Sequence, residues 1–221
     1  MLRIASTASL AHPSLVELLK DSLRLHFAEI ELCGEGSALK EIAEQQMQRI
    51  RGVTRVFVAL YAPDAARHDA HVGRCGSFEA TLSGFRTFTE IIGAQGGVFA
   101  VLHDASMVAD FAEAWQDGSL PGRPLFRLSA VGDSLVALAT VADGLPKAAR
   151  LALFQLIPRC LLPYGEVVPL PWKAPPGVSG SDCRGSYASC PHSAVCEVSD
   201  QCPGLATGWS CEGIAPIVSA T

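Results

Sequence analysis

The sequence has no hydrophobic run long enough to cross a membrane. Its longest apolar stretches, VFVAL at 56–60 and GVFAVL at 97–102, fall far short of the roughly 20 residues that a spanning helix needs, so no membrane partner is expected. The opening residues, MLRIASTASLAHP, contain no sustained apolar segment of the secretory kind. No leader is therefore expected, and the chain is expected in the cytoplasm. Positive charge is not in excess either. Seventeen Lys and Arg against 22 Asp and Glu give a net charge of −5, which argues against a nucleic-acid partner, since that would call for a basic face. The sequence has no CxxC pair anywhere, so the tight paired spacing of most structural zinc sites is missing. Internal repeats and low-complexity tracts are also absent.

What is present is a chain of 221 residues, 49% hydrophobic and 18% charged. That is the composition of a globular protein on the apolar side, long enough to bury a real core without disulfides to compensate for a small one.

Short apolar runs alternate with helical patterns. Strands are expected at Leu2–Ala5, Glu29–Cys33, Val56–Leu60, Val98–Leu102 and Leu125–Ser129. Pro13 suits the first turn of a helix in which Leu15, Leu19, Leu23 and Phe27 share one face. Ser37 is a candidate N-cap for a second helix, with Leu39, Ile42, Ala43 and Ile50 inward. Further helices are expected over Ser77–Ile92, Met107–Trp115 and about Lys147–Gln155. Strand and helix alternate throughout, which predicts an α/β fold with parallel strands. About five strands are too few for a closed eight-stranded barrel.

The texture changes after Ile157, where Pro, Gly and Ser become frequent and helical periodicity stops. A boundary is placed there, giving a domain over 1–157 and an extension over 158–221. The extension holds six of the eight cysteines: Cys160, Cys183, Cys190, Cys196, Cys202 and Cys211. In a reducing cytoplasm clustered thiols bind metal more often than they pair. Thiolate is the soft ligand that zinc and iron–sulfur clusters prefer. Five residues separate Cys190 from Cys196, and five separate Cys196 from Cys202. That spacing is compatible with zinc, with His192 as a further ligand, without calling for it. Disulfides and inert thiols stay open as alternatives. Cys33 and Cys75 are isolated in the sequence and read as inert.

One stretch carries more information. In YAPDAARHDAHVGRCGSFEATLSGFRTF, Tyr61–Phe88, an apolar strand leads into His68-Asp69 and then into Gly73-x-x-Gly76-Ser77-Phe78. The two glycines permit a tight turn, and Ser77 reads as the cap of the following helix. His68-Asp69 reads as a turn with a role in starting that helix, and Asp64 as a solvated turn residue. The stretch resembles the middle of the partial barrel of radical S-adenosylmethionine (radical SAM) enzymes. Other segments follow in the family's order. ELCGEGSAL (31–39) resembles its strand with a T-N-G turn. His12-Pro13 resembles the helix start after its Gly-Gly-Glu-Pro motif. PRC (158–160) and CEVSDQCPGLATGW (196–209) resemble the two ends of its cysteine-rich twitch or SPASM extension.

The resemblance implies an incomplete parallel (β/α) barrel of the radical SAM type, with a cluster-bearing, loop-rich extension. It also implies an auxiliary [4Fe–4S] cluster, with ligands drawn from Cys160, Cys183, Cys190, Cys196 and Cys202, and a peptide substrate. The departures are equally specific. The family's Cys-x3-Cys-x2-Cys is absent, and Ser6-Thr7-Ala8-Ser9 replaces Gly-Gly-Glu-Pro. Ala8, in the position of the glutamate that holds the SAM amino group, can accept no hydrogen bond. Ser193 replaces the first cysteine of the extension's CxxC. The chain is therefore expected to be degenerate, or one part of a split or truncated enzyme, and not to bind SAM on its own. A partner protein would supply the missing part of the barrel. The alternative is a non-catalytic module that binds metal and a peptide or protein partner.

Overall fold

A computed structural model describes residues 2–5, 9–129, 132, 134–154, 156–157, 161, 187–188, 190, 194–195, 205–206, 209–210 and 212. They fall in two compact units, Met1–Ala100 with Asp117–Arg123, and Val101–Gln116 with Pro124–Thr221.

The first unit is built on four strands, β1 (Leu2–Ala5), β2 (Ile30–Gly34), β3 (Arg55–Leu60) and β4 (Gln95–Leu102), the last of which runs on into the second unit. They lie side by side in chain order and every pairing is parallel, with Leu32 opposite Val56 and Val58 opposite Val98. The sheet curls into a half-barrel. The expectation of an α/β fold with parallel strands and an unclosed barrel is therefore met.

Both faces of the central strands are buried, as parallel sheets require. Leu32, Val56, Val58, Leu60 and Val98 occupy one face and Glu31, Cys33, Ala59 and Phe99 the other, all with at most 4% exposure. Glu31 is buried and falls in backbone register between Arg3 and Arg55.

Between the strands lie α1 (Leu15–Arg24), α2 (Glu44–Gln48), α3 (Ala65–Val72) and α4 (Ser77–Ile92). The longest is α4. It turns Phe78, Leu82, Phe85, Phe88 and Ile92 inward at helical spacing, and burial of each such side chain stabilises the fold by about 1.5–3 kcal/mol. The helix packs closely on the 3-10 segment Ser37–Glu41 and on β3. A Cβ at Gly84 would come within 2.8 Å of the Lys40 backbone nitrogen, so the two backbones approach as near as they do because residue 84 has no side chain.

Two sequence-based helices differ in detail. Residues 37–50 do not form one helix. A 3-10 turn ends at Glu41, Ile42 is extended, and α2 begins only at Glu44. Leu39 and Ile50 are buried as expected, but Ile42 is half-buried and Ala43 exposed, because the break resets the helical phase. Likewise α1 stops at Arg24, and His26 takes a left-handed conformation (φ 55°). Phe27 then leaves the line of Leu15 and Leu19 and is 39% exposed. Pro13 precedes α1 and lies outside its first turn.

The second unit carries α5 (Met107–Gln116), β5 (Phe126–Leu128), α6 (Leu135–Val141), α7 (Lys147–Phe154) and a two-residue antiparallel ladder of β6 (Tyr187–Ala188) with β7 (Leu205–Ala206). The Ser129 N–H donates to the Leu102 carbonyl (2.9 Å). Trp209 is buried and donates from Nε1 to the Ser129 carbonyl (3.0 Å). Ser210 bridges to Ser134 and accepts from the Leu135 N–H. A residue of the extension, Trp209, is thus fastened at the end of β5. Among the described residues no helix is long and apolar enough to cross a membrane.

The contact at Gly84 gives a direct test. Alanine normally stabilises a helix interior by about 1 kcal/mol over glycine. Here the new methyl meets backbone, which cannot swing aside, so Gly84→Ala is expected to lower unfolding free energy by about 1–3 kcal/mol. A urea midpoint equal to or above that of the parent chain would show that the helix and the 37–41 segment separate without cost.

Candidate functional site

The segment that carries the family resemblance is fully described, and it forms a hairpin of two helices after β3. The first of them, α3, occupies residues read from sequence as a loop. Asp64 starts it. Its Oδ1 accepts from the Arg67 N–H (3.0 Å), and its Oδ2 pairs with the Arg67 guanidinium. The Arg67 backbone N–H, followed by the Arg67 side chain, holds the Asp64 carboxyl below the usual range. Asp64 is therefore an N-cap, a more specific role than a solvated turn residue. Gly73 ends the helix at φ 73°.

Gly73 and Gly76 (φ 77°) both adopt the left-handed conformation. A Cβ at either would meet nothing within 4 Å, so the need for glycine there is purely conformational. This turn brings the start of α4 back onto α3, where Asp69 receives it. Asp69 Oδ1 accepts from the Phe78 N–H (2.8 Å), and Oδ2 accepts from the Gly76 N–H. These are amides that the opening turn of a helix leaves unpaired, and the carboxylate lies at the positive end of the helix dipole. The Phe78 N–H, then Gly76, then the neighbouring His68 and Ser77 keep the Asp69 carboxyl below its ordinary pKa.

Ser77 does not cap α4, contrary to the sequence reading. It is the first residue of the helix, it is completely buried, and its Oγ has no hydrogen-bond partner among the described residues. The cap comes instead from Asp69, seven residues upstream of Gly76, a distance at which a local capping rule does not look.

His68 faces the other way. It is completely buried, and its Nδ1 accepts from the backbone N–H of Tyr61 (3.2 Å), the residue that follows β3. The ring packs edge-on to Phe78, 5.7 Å between centroids, and tilted against Tyr61 at 5.8 Å. Burial lowers its pKa, with Asp69 acting in the opposite sense. On the solvent side of α3, His71 stacks on Tyr61 at 4.4 Å. The His-Asp pair thus has the helix-start role read from sequence, plus a second bond to β3. Asp69 is engaged by the helix amides and His68 is sealed inside, so this arrangement makes the pair a fastening rather than an acid–base couple facing a substrate.

Of the thiols named as cluster ligands, Cys190 is described and is half-buried. Cys160, Cys183, Cys196 and Cys202 lie outside the described residues, as do His192, Ser193, Cys211 and Ala8. Among the described residues no group of three or more His, Cys, Asp or Glu side chains converges as metal ligands would. Cys33 is buried in β2, and Cys75 is exposed in the turn before α4. His12 accepts at Nδ1 from the Ser14 N–H (3.1 Å), just ahead of α1.

No protein-family model matches this chain, and no curated protein matches it.

The cap at Asp69 predicts a graded response. Asp69→Ala leaves the Gly76 and Phe78 amides unpaired and is expected to lower the melting temperature. Asp69→Asn keeps one acceptor and is expected to lower it less. Because the folded-state carboxyl has the lower pKa, its contribution is present above the unfolded value of about 3.9 and is lost as pH falls through the folded one. The gap between the parent chain and Asp69→Ala should therefore narrow below about pH 3.9. Thermal melts of the two variants at pH 7 and pH 3 test this; a gap that does not change with pH would mean that the carboxylate's charge plays no part.

Proposed function

We propose that the chain is a radical SAM-type protein that has lost its SAM site, or one part of a split or truncated enzyme of that type. On this reading residues 158–221 form a twitch- or SPASM-like extension carrying an iron–sulfur cluster, and the protein acts in modification of a peptide within a reducing cytoplasm. The observation that carries the reading is the segment after β3. A parallel strand is followed by a His-Asp pair, a two-glycine turn and a Ser-Phe helix start, and Asp69 ties turn and helix together. The motif quoted from sequence is thereby one structural unit, which makes chance agreement of its letters a poorer explanation. The parallel, unclosed sheet agrees with it.

The residues do not fit SAM. The chain has no Cys-x3-Cys-x2-Cys, and Ala8 offers no side-chain acceptor. The extension does suit a cluster by the chemistry of its donors. Cys160, Cys196 and Cys202, with Cys190 or Cys183 as the fourth, would supply four thiolates. A cluster held by four thiolates would supply electron transfer. The loss at Ala8 favours a second reading, a non-catalytic module in which metal shapes a surface for a peptide or for a partner protein that completes the barrel.

Anaerobic purification of the full chain, with assays for iron, sulfide and zinc, tests the cluster assignment common to both readings. About four irons and four sulfides per chain are expected, falling sharply in Cys196→Ala and unaffected by Cys33→Ala. Reduced protein given SAM is expected to form no 5′-deoxyadenosine on its own. Absence of both iron and sulfide, or iron content unmoved by Cys196→Ala, would end the cluster assignment; formation of 5′-deoxyadenosine would end the claim of a lost SAM site.

A further inference from the structure

We propose that His68 is a pH-operated fastening, whose protonation releases the α3–α4 hairpin from the end of β3. The argument begins with the direction of one hydrogen bond. His68 Nδ1 accepts from the Tyr61 N–H (3.2 Å), so in the neutral ring the proton sits on Nε2. A second proton can only go to Nδ1. That turns the acceptor into a donor aimed at another donor, and the bond to Tyr61 is lost. The ring has no exposed edge on which to rehydrate, being completely buried between Tyr61 and Phe78. Its Nε2 has no hydrogen-bond partner among the described residues either, so no acid is bonded to the ring there.

The surrounding groups decide whether the charge is tolerated in place. Tyr61 meets the ring from just past β3, Asp69 and His71 belong to its own helix, and α4 contributes Phe78. Asp69 favours the protonated ring, but its two oxygens already hold the Gly76 and Phe78 amides. His71, when protonated, opposes it. In the connecting turn Arg74 pairs with Glu41 (3.7 Å), and Glu79 in the first turn of α4 is exposed. Burial outweighs these terms and lowers the ring's pKa.

The sign follows. The opened hairpin has a histidine of ordinary pKa, about 6.5, and the closed one a histidine of lower pKa, so the open state binds the proton more readily. Closure is at full strength above about pH 6.5 and weakens as pH falls below it, until the ring's folded-state pKa is passed. Asp69 acts in a separate window at lower pH.

The test is amide exchange of the full chain between pH 7.5 and pH 5, read as protection factors so that intrinsic pH dependence cancels. Protection of the Tyr61 amide is expected to fall by up to about tenfold per pH unit below pH 6.5. In His68→Asn, whose side-chain oxygen can accept but does not titrate, it should stay level. His71→Gln should keep the fall. The proposal is overturned if the parent chain shows level protection, if His68→Asn falls as steeply as the parent, or if His71→Gln alone abolishes the fall. If His68→Asn does not fold, the ring of His68 and the amide of Tyr61 are titrated by NMR in the parent chain. One shared midpoint supports the proposal, and two different midpoints overturn it.

Discussion

Two adjacent side chains, His68 and Asp69, hold the first unit's most informative segment together. Successive helical residues point about 100° apart, so α3 can reach in two directions at once. His68 reaches back to the amide after β3, and Asp69 reaches forward to the amides that open α4. Neither bond forms unless α3 is helical, and α4 meets Asp69 only because Gly73 and Gly76 reverse the chain in the left-handed region. Much depends on this reversal. It sets where α4 begins, hence which of its residues face the sheet, and hence the close passage of Gly84 over Lys40.

The same segment shows why some of the fold was legible in the sequence and some was not. The span of α4 was readable to the residue, because it has a full apolar period and sharp breaks at both ends. The strands were readable because buried parallel strands are continuous apolar runs. The 8-residue α3 is too short to show a period and carries one buried residue, His68. Its signals were Asp64 ahead and Gly73 behind, the marks of a helix start and stop. Ser77 was misread because capping preferences are local statistics. At this position the orphan amides are taken by a stronger acceptor from another helix, and serine is left inside. At 37–50 the apolar residues suggested one helix, but two extended residues, Ile42 and Ala43, shift the phase, and periodicity cannot register a break between two short helical turns.

The site divides along the same line. Residues that work through backbone geometry, such as Gly73, Gly76 and Asp69, can be checked bond by bond. Cysteines read by composition and compartment express a chemical preference, and spacing alone does not choose between four thiolates around iron and other uses of the same side chains. One anchor of that extension is nonetheless fixed. Trp209 and Ser210 are bonded to Ser129, Ser134 and Leu135 within the second unit, so the extension is tied down near its end by ordinary hydrogen bonds, without any need for metal at that point.

The polar residues that first suggest chemistry are thus committed elsewhere. A catalytic carboxylate must be able to exchange its partner during a reaction, whereas Asp69 holds two helix amides whose release would fray α4. A catalytic histidine must be accessible, whereas His68 is completely buried. The motif therefore behaves as scaffold, holding the α3–α4 hairpin to the residue that follows β3.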